Sequence, residues 1–192
     1  MYAENADTNI GKLALSLREK CYHARLVRRH YIPKGEGKRR PLGLPAVADK
    51  VVQTGAAEIL TAIYEPDFLD YSHGYRRGHG PRSAALRLGA LLQRGRFRWI
   101  VDADIKGFFD NMDHDWILRM LQERIDDRGF LGLIRKWLKA GILEDNGQVI
   151  NPTTGTPQGG IVSAVLANIY LHYVLDLWFE KVVKPQCRVM SP

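Results

Sequence analysis

"VDADIKGFFDNMDH", residues 101–114, places Asp102, Asp104, Asp110 and Asp113 around two adjacent phenylalanines, on the end of the apolar run "FRWIVDADI" (residues 97–105). That run is β-rich and of strand length, so it reads as a strand. Side chains alternate along a strand, which puts Asp102 and Asp104 on one face and Val101, Ala103 and Ile105 on the other. Asp104 then falls near the strand's end, where the chain turns at Gly107. A carboxylate there adds little to stability. It is well placed to hold a hard cation such as Mg²⁺, which takes one or two carboxylates plus substrate phosphates. The arrangement suits phosphoryl transfer with two metals. Asn111, Asp113 and Asp115 are N-cap candidates for the helix that follows, and Asp110, Asp113 and Asp115 are read as structural for that reason.

Outward from this stretch the order of elements is mixed, α+β. Residues 9–29 read as a helix, with Ile10, Leu13, Leu17 and Cys21 at helical spacing. "YIPKGEGKRRPLGLP" (31–45) suggests a hairpin turning at Gly-Glu-Gly, with a basic tip. Residues 49–64 are again helical. A Gly-rich basic loop, "YSHGYRRGHG", leads into a helix from about Pro81. Beyond the acidic stretch, helices are expected over 115–128 and 130–140. A hairpin-like stretch and loop follow over 145–160, then a long helix over 161–184. The division is a small basic front portion, residues 1–65, and a larger portion, residues 66–192.

The net charge is +7, and it is uneven. Residues 1–50 hold 11 Lys and Arg against 5 acids, so +6 lies at the front. Such a front end suggests phosphate, most often nucleic acid. No stretch reaches the eighteen or so uncharged apolar residues of a membrane span, and residues 1–30 do not read as a signal peptide. Cys21 and Cys187 lie far apart without metal-ligand spacing, as incidental thiols of a reducing compartment such as the cytoplasm.

Five motifs, "YIPKGEGKRRPLGLPAVADKVVQ", "DYSHGYRRGHG", "VDADIKGFFDNMDH", "IRKWLKAGILEDNG" and "GTPQGGIVSAVLANIYLHYVLD", occur in the order seen in the reverse transcriptases of bacterial group II introns, and the chain resembles that family from about residue 9 to about residue 188. The family combines reverse transcriptase and maturase activity. The resemblance implies a right-hand polymerase with fingers and a partial palm, helix-rich with small antiparallel sheets. It makes Asp104 the catalytic metal-binding acid for Mg²⁺, with the Ile105 carbonyl as a further ligand. Phe109 would lie under the incoming sugar and clash with a ribose 2′-OH, while Phe108 belongs to the core. Lys38, Arg40 and Lys50 would contact the triphosphate, as a cationic clamp on a transferring phosphoryl group. Gln158 would pack against the nucleotide. Gly159 and Gly160 would let backbone approach template or substrate, and Arg76, Arg77 and Arg82 would meet the template backbone. Implied partners are group II intron RNA, a DNA target or primer-template and deoxynucleoside triphosphates, with no membrane; a homodimer is a candidate assembly.

Two positions depart from the family pattern locally, Arg77 and Ala164, where proline is usual. The Tyr-Ala-Asp-Asp motif, which supplies the other two metal carboxylates, is not among these residues, and "IDDRG" (125–129) is no substitute, since it is expected inside a helical run. One carboxylate is too little negative charge for two metals, so the chain by itself is expected not to polymerise DNA. The competing expectation is a non-catalytic RNA-binding module.

Overall fold

The computed structural model describes residues 2–35, 37–94, 99–157 and 159–189. A 3₁₀ turn (Tyr2–Asn5) leads into α1 (Ala6–Arg18), which stops eleven residues before the expected end. The stop is a Schellman-type closure: Lys20 takes φ 60°, and the Lys20 and Cys21 amides bond back to the carbonyls of Leu17 and Ser16. The released chain then forms β1 (Val27–Pro33) and β2 (Arg39–Leu44), the expected hairpin. β1 also pairs in parallel with β3 (Ile142–Leu143), which pairs antiparallel with β4 (Val149–Ile150). The sheet order is β2-β1-β3-β4, so two antiparallel pairings are joined by one parallel pairing.

Helices build the core. α2 is Val47–Tyr64, α3 Pro81–Gln93, α4 Phe108–Asn111, α5 His114–Gln122 and α6 Arg128–Leu138. α7 (Ile161–Leu171) continues through π-helical turns into α8 (Lys184–Val189). α5 and α6 are each apolar on one face at helical spacing, and Ile117, Leu121, Ile134 and Leu138 are fully buried there against Leu60, Leu166 and Ile169. Tyr64 lies at the centre and donates its hydroxyl to the carbonyls of Met120 and Leu121. α2 packs on α7, which ties the front portion to the larger one.

The break between α5 and α6 corrects the reading of "IDDRG". Ile125 to Asp127 are not helical and Arg128 and Gly129 open α6; Asp127 is its N-cap and accepts the amides of Gly129 and Phe130. Asp113 caps α5 through the Trp116 amide, as expected. The expected strand at 97–105 is also corrected. Residues 97–98 lie outside the described residues, and 99–105 adopt no regular structure. A strand draws its backbone hydrogen bonds from a neighbour, and no described strand runs beside this one. Both faces are in solvent: Val101 is 90% exposed on one and Ile100 61% on the other.

Among the described residues one helix, Ile161–Cys187, is long and apolar enough to cross a membrane by length and composition (mean hydropathy 1.4). The strict test for uncharged residues missed it because Asp176, Glu180 and Lys181 interrupt the run. Its first half is core: Val162, Leu166, Ala167 and Ile169 are buried.

Candidate active site

Gly107 starts the site. It sits at φ 63°, where a side chain would be strained and its Cβ would lie 2.9 Å from Asn111 Nδ2. The left-handed turn lets its carbonyl accept the amides of Asp110 and Asn111 and the Asn111 side chain, which winds α4. The turn also brings residues 103–105 and 107–110 to one side of a cleft of about 560 Å³. The hairpin forms the opposite wall with Lys34, Arg39, Arg40 and Pro41, and Leu171 of α7 completes the lining. Three cations thus face Asp104 and Asp110. A poly-anion that brings its own cation matches such a lining, phosphates to the basic wall and metal to the acid.

Phe109 lies half-buried on the floor. Its ring meets Tyr75 edge-on at 6.2 Å and Phe108 at 5.6 Å, and Phe108 in turn meets Tyr170. Both rings are half-buried against the core and both border the cleft. Residues 154–156 hold this floor from below. The Gly155 amide donates to the Met112 carbonyl at 2.7 Å, the Thr156 amide to the Phe109 carbonyl at 2.8 Å, and Thr154 Oγ1 to the Asp110 carbonyl at 3.1 Å. Buried His114 donates to the Gly155 carbonyl.

The structure brings Asp104, Ile105, Phe109 and Arg40 together in this cleft. Lys38 is in the hairpin turn, paired through its backbone with Lys34 and Gly35, and it does not line the cleft. Lys50 is in the first turn of α2 and is likewise outside the lining. Gln158 lies outside the described residues. Arg77 is 80% exposed and pairs with Glu58, and Arg82 is exposed in the first turn of α3.

Arg76 is different and corrects the expectation of a template contact. Its guanidinium is turned inward, donating to Glu65 and to the carbonyls of Leu69 and Ser72 and lying over the Phe68 ring. The close approach at Gly159 is to the protein itself. A Cβ there would lie 3.0 Å from the Gly43 carbonyl. At Gly160 it would lie 2.5 Å from Ser163 Oγ. Sequence reasoning passed over Lys34, Arg39 and Tyr75, and it read Asp110, which lines the cleft, as structural. The first two were visible as hairpin bases. Tyr75 had only its glycine neighbour as a signal.

Asp104 and the Ile105 carbonyl could hold one Mg²⁺ together with substrate phosphates. The described residues gather no group of three His, Cys, Asp or Glu able to hold a metal by themselves.

The chain belongs to the reverse transcriptase (RNA-dependent DNA polymerase) family, whose model matches residues 32–190. Among curated relatives it is similar to the group II intron-encoded protein LtrA of Lactococcus lactis subsp. cremoris, at 45% identity over 178 residues, 90% of this chain. It is also similar to a 91 kDa protein in the cob intron of Schizosaccharomyces pombe, at 42% identity over 171 residues, 89% of this chain. The chain spans 29% of the first and 21% of the second. Among solved structures, a chain of a partial Cas6-RT-Cas1–Cas2 complex matches with a TM-score of 0.55 and 21% identity, covering 93% of this chain and 30% of that one. That likeness is one of fold, that of reverse transcriptase fingers and part of a palm. The group II intron resemblance read from the five motifs holds.

Proposed function

We propose that the cleft is the nucleotide and metal subsite of an RNA-directed DNA polymerase of group II intron type, linked to intron RNA splicing and mobility. The observation that carries this is the meeting, across one cleft, of Arg40 from the first motif with Asp104, Ile105 and Phe109 from the third. Bound Mg²⁺ would supply charge neutralisation at the transferring phosphoryl group. Asp104 and the Ile105 carbonyl would hold it. Arg40, with Lys34 and Arg39 beside it, would take the triphosphate of a deoxynucleotide. The Phe109 ring would close the space beside the sugar against a 2′-hydroxyl. Lys38 remains a candidate for the outer phosphates and Gln158 for the base pair, whereas Lys50 lies outside the lining. Arg77 and Arg82, both exposed, would meet the backbone of template or intron RNA. Residues 1–65 serve as the fingers-like part and 66–192 as remaining fingers and partial palm, in a cytoplasmic protein that works as a monomer or homodimer.

The 192 residues alone bring one carboxylate from the family's metal set, so they bind nucleotide without extending a primer. Titrating the chain with a fluorescent deoxynucleoside triphosphate and Mg²⁺ tests the subsite. Saturable binding that Asp104→Asn and Arg40→Ala each weaken supports it, and binding indifferent to both sinks it. Magnesium-dependent primer extension by the purified chain would refute the inactivity. A second reading, an RNA-binding maturase-like module, is favoured by the exposed Arg77 and Arg82. It requires RNA affinity that falls steeply with salt.

A further inference from the structure

Residues 154–157 touch both walls of the cleft. At one end they underpin the floor. The bonds to the Phe109, Asp110 and Met112 carbonyls run from here, and Gly155, at φ 80°, lies so close that a Cβ would stand 2.6 Å from the Asp110 carbonyl oxygen. At the other end is Pro157, seated on β2. A Cβ at Gly43 would stand 2.5 Å from Pro157 Cβ and 2.8 Å from Val27 Cγ1. Gly43 is on the same strand as Arg39 and Arg40 of the basic wall. The segment is itself anchored. Buried Ser163 donates to the Pro157 carbonyl at 3.0 Å, and its hydroxyl lies 2.7 Å from that of buried Thr156. Floor and wall thus rest on one short, bonded piece of chain. At Gly43 and Gly155 the lack of a side chain lets the proline ring and the backbone come close.

We propose that residues 154–157 are a brace that sets the width of the cleft, with Gly43 and Gly155 as positioning residues at its two ends. A methyl group at Gly43 has no free volume to occupy. Pro157 must move off β2, and the bonds from Gly155 and Thr156 to the floor move with it. The basic wall and the acid then lose their spacing without the loss of any charged group. The nucleotide part of this inference rests on the proposed function above; the mechanical part does not.

The test compares wild type, Gly43→Ala and Gly43→Ala with Pro157→Gly, all as the 192-residue chain. Amide hydrogen exchange reads the mechanics. Gly43→Ala should speed exchange at Gly155 and Thr156 about tenfold while α6 amides stay unchanged, since exchange reports local opening. The double variant, which removes the nearer opposing atom and leaves only the Val27 methyl to give way, should restore most of the protection, and it keeps the test alive if the single variant folds poorly. Unchanged exchange at Gly155 and Thr156 in a folded Gly43→Ala protein would overturn the brace. Titration with a fluorescent deoxynucleoside triphosphate and Mg²⁺ reads the consequence. Gly43→Ala should weaken binding about tenfold or more, as misplacement of an otherwise intact site does, with recovery in the double variant. Faster exchange with unaltered affinity would overturn the claim on cleft width. If wild type binds no nucleotide, the functional reading fails by itself, and the exchange result alone decides the brace.

Discussion

The hydroxyl of Tyr22 donates to Oδ1 of Asp49 over 2.6 Å, joining the segment after α1 to the first turn of α2 inside the core. Asp49 is 2% exposed, and its other oxygen accepts the Arg25 amide. Trp137 Nε1 donates to the same tyrosine oxygen at 2.8 Å, which brings α6 into the network. Burial and the Asp49 carboxylate hold the Tyr22 hydroxyl well above its ordinary range, so it stays a donor. Tyr22→Phe removes one partner from a buried carboxylate and one from a buried indole. Leaving such groups unpaired costs about 1–3 kcal/mol. Urea unfolding should show a lower midpoint with an unchanged slope, because the surface exposed on unfolding is the same. An unmoved midpoint would mean that water takes the hydroxyl's place.

Arg76, Arg77 and Arg82 stand within seven residues of one another but should behave as two kinds of residue. Arg76 is 7% exposed in its side chain and braces the loop through Glu65. Arg76→Ala should lower thermal stability and leave the salt dependence of RNA binding by the folded fraction unchanged. Arg82→Ala should do the reverse, leaving the melting temperature in place and reducing the slope of log affinity against log salt by about 1, the loss of one phosphate contact. Filter binding of a structured RNA at several salt concentrations, with parallel melting curves, separates the two.

The same arginines show what was legible in the sequence. The hairpin could be read because its turn chemistry is local, two glycines around one residue between extended runs. The caps at Asp113 and α3's start at Pro81 were likewise written in adjacent residues. Part of the cleft's lining, Arg40, Asp104, Ile105 and Phe109, could be read because motifs carry it. What failed depended on partners distant in sequence. Nothing near Arg76 distinguishes it from Arg77; Glu65, eleven residues back, does. Nothing in residues 99–105 says that no described strand lies beside them. Gly159 reads as a glycine that must come close to something, but only the fold shows that the neighbour is Gly43. The end of α1 turned on Lys20 adopting a left-handed conformation that lysine rarely takes.

The loop before α3 should give acid sensitivity. His73 Nδ1 is 2.9 Å from Ser83 Oγ and 3.5 Å from His79 Nδ1, and His73 Nε2 is buried without a partner. Desolvation, then His79, Arg87 and Arg76, pull the His73 pKa below its ordinary 6.5. The folded protein therefore disfavours protonation relative to the unfolded chain. The contribution is intact above about pH 6.5, and it is lost as pH falls below that value and through the lowered folded one. His73→Gln removes this dependence. The melting temperature of wild type should exceed that of the variant by more at about pH 7.5 than at about pH 5. A gap independent of pH would show that His73 does not titrate across this range.

Arg40 and Lys50 were both read from the sequence as phosphate contacts, and the fold separates them. Arg40 lines the cleft opposite Asp104, whereas Lys50 lies outside the lining, its carbonyl taken by Thr54 Oγ1. A charge-assisted bond to phosphate contributes about 1.5–3 kcal/mol, so Arg40→Ala should weaken binding of a deoxynucleoside triphosphate with Mg²⁺ by roughly 10- to 150-fold. Lys50→Ala has no such bond to lose in this geometry and should change affinity by less than about twofold, as a screened charge at a distance does. The same titration with the monophosphate sharpens the contrast. Arg40→Ala should cost far less there, because the outer phosphates are gone. Equal losses from the two variants, or an Arg40 effect that persists undiminished with the monophosphate, would place the triphosphate somewhere other than against the β2 wall.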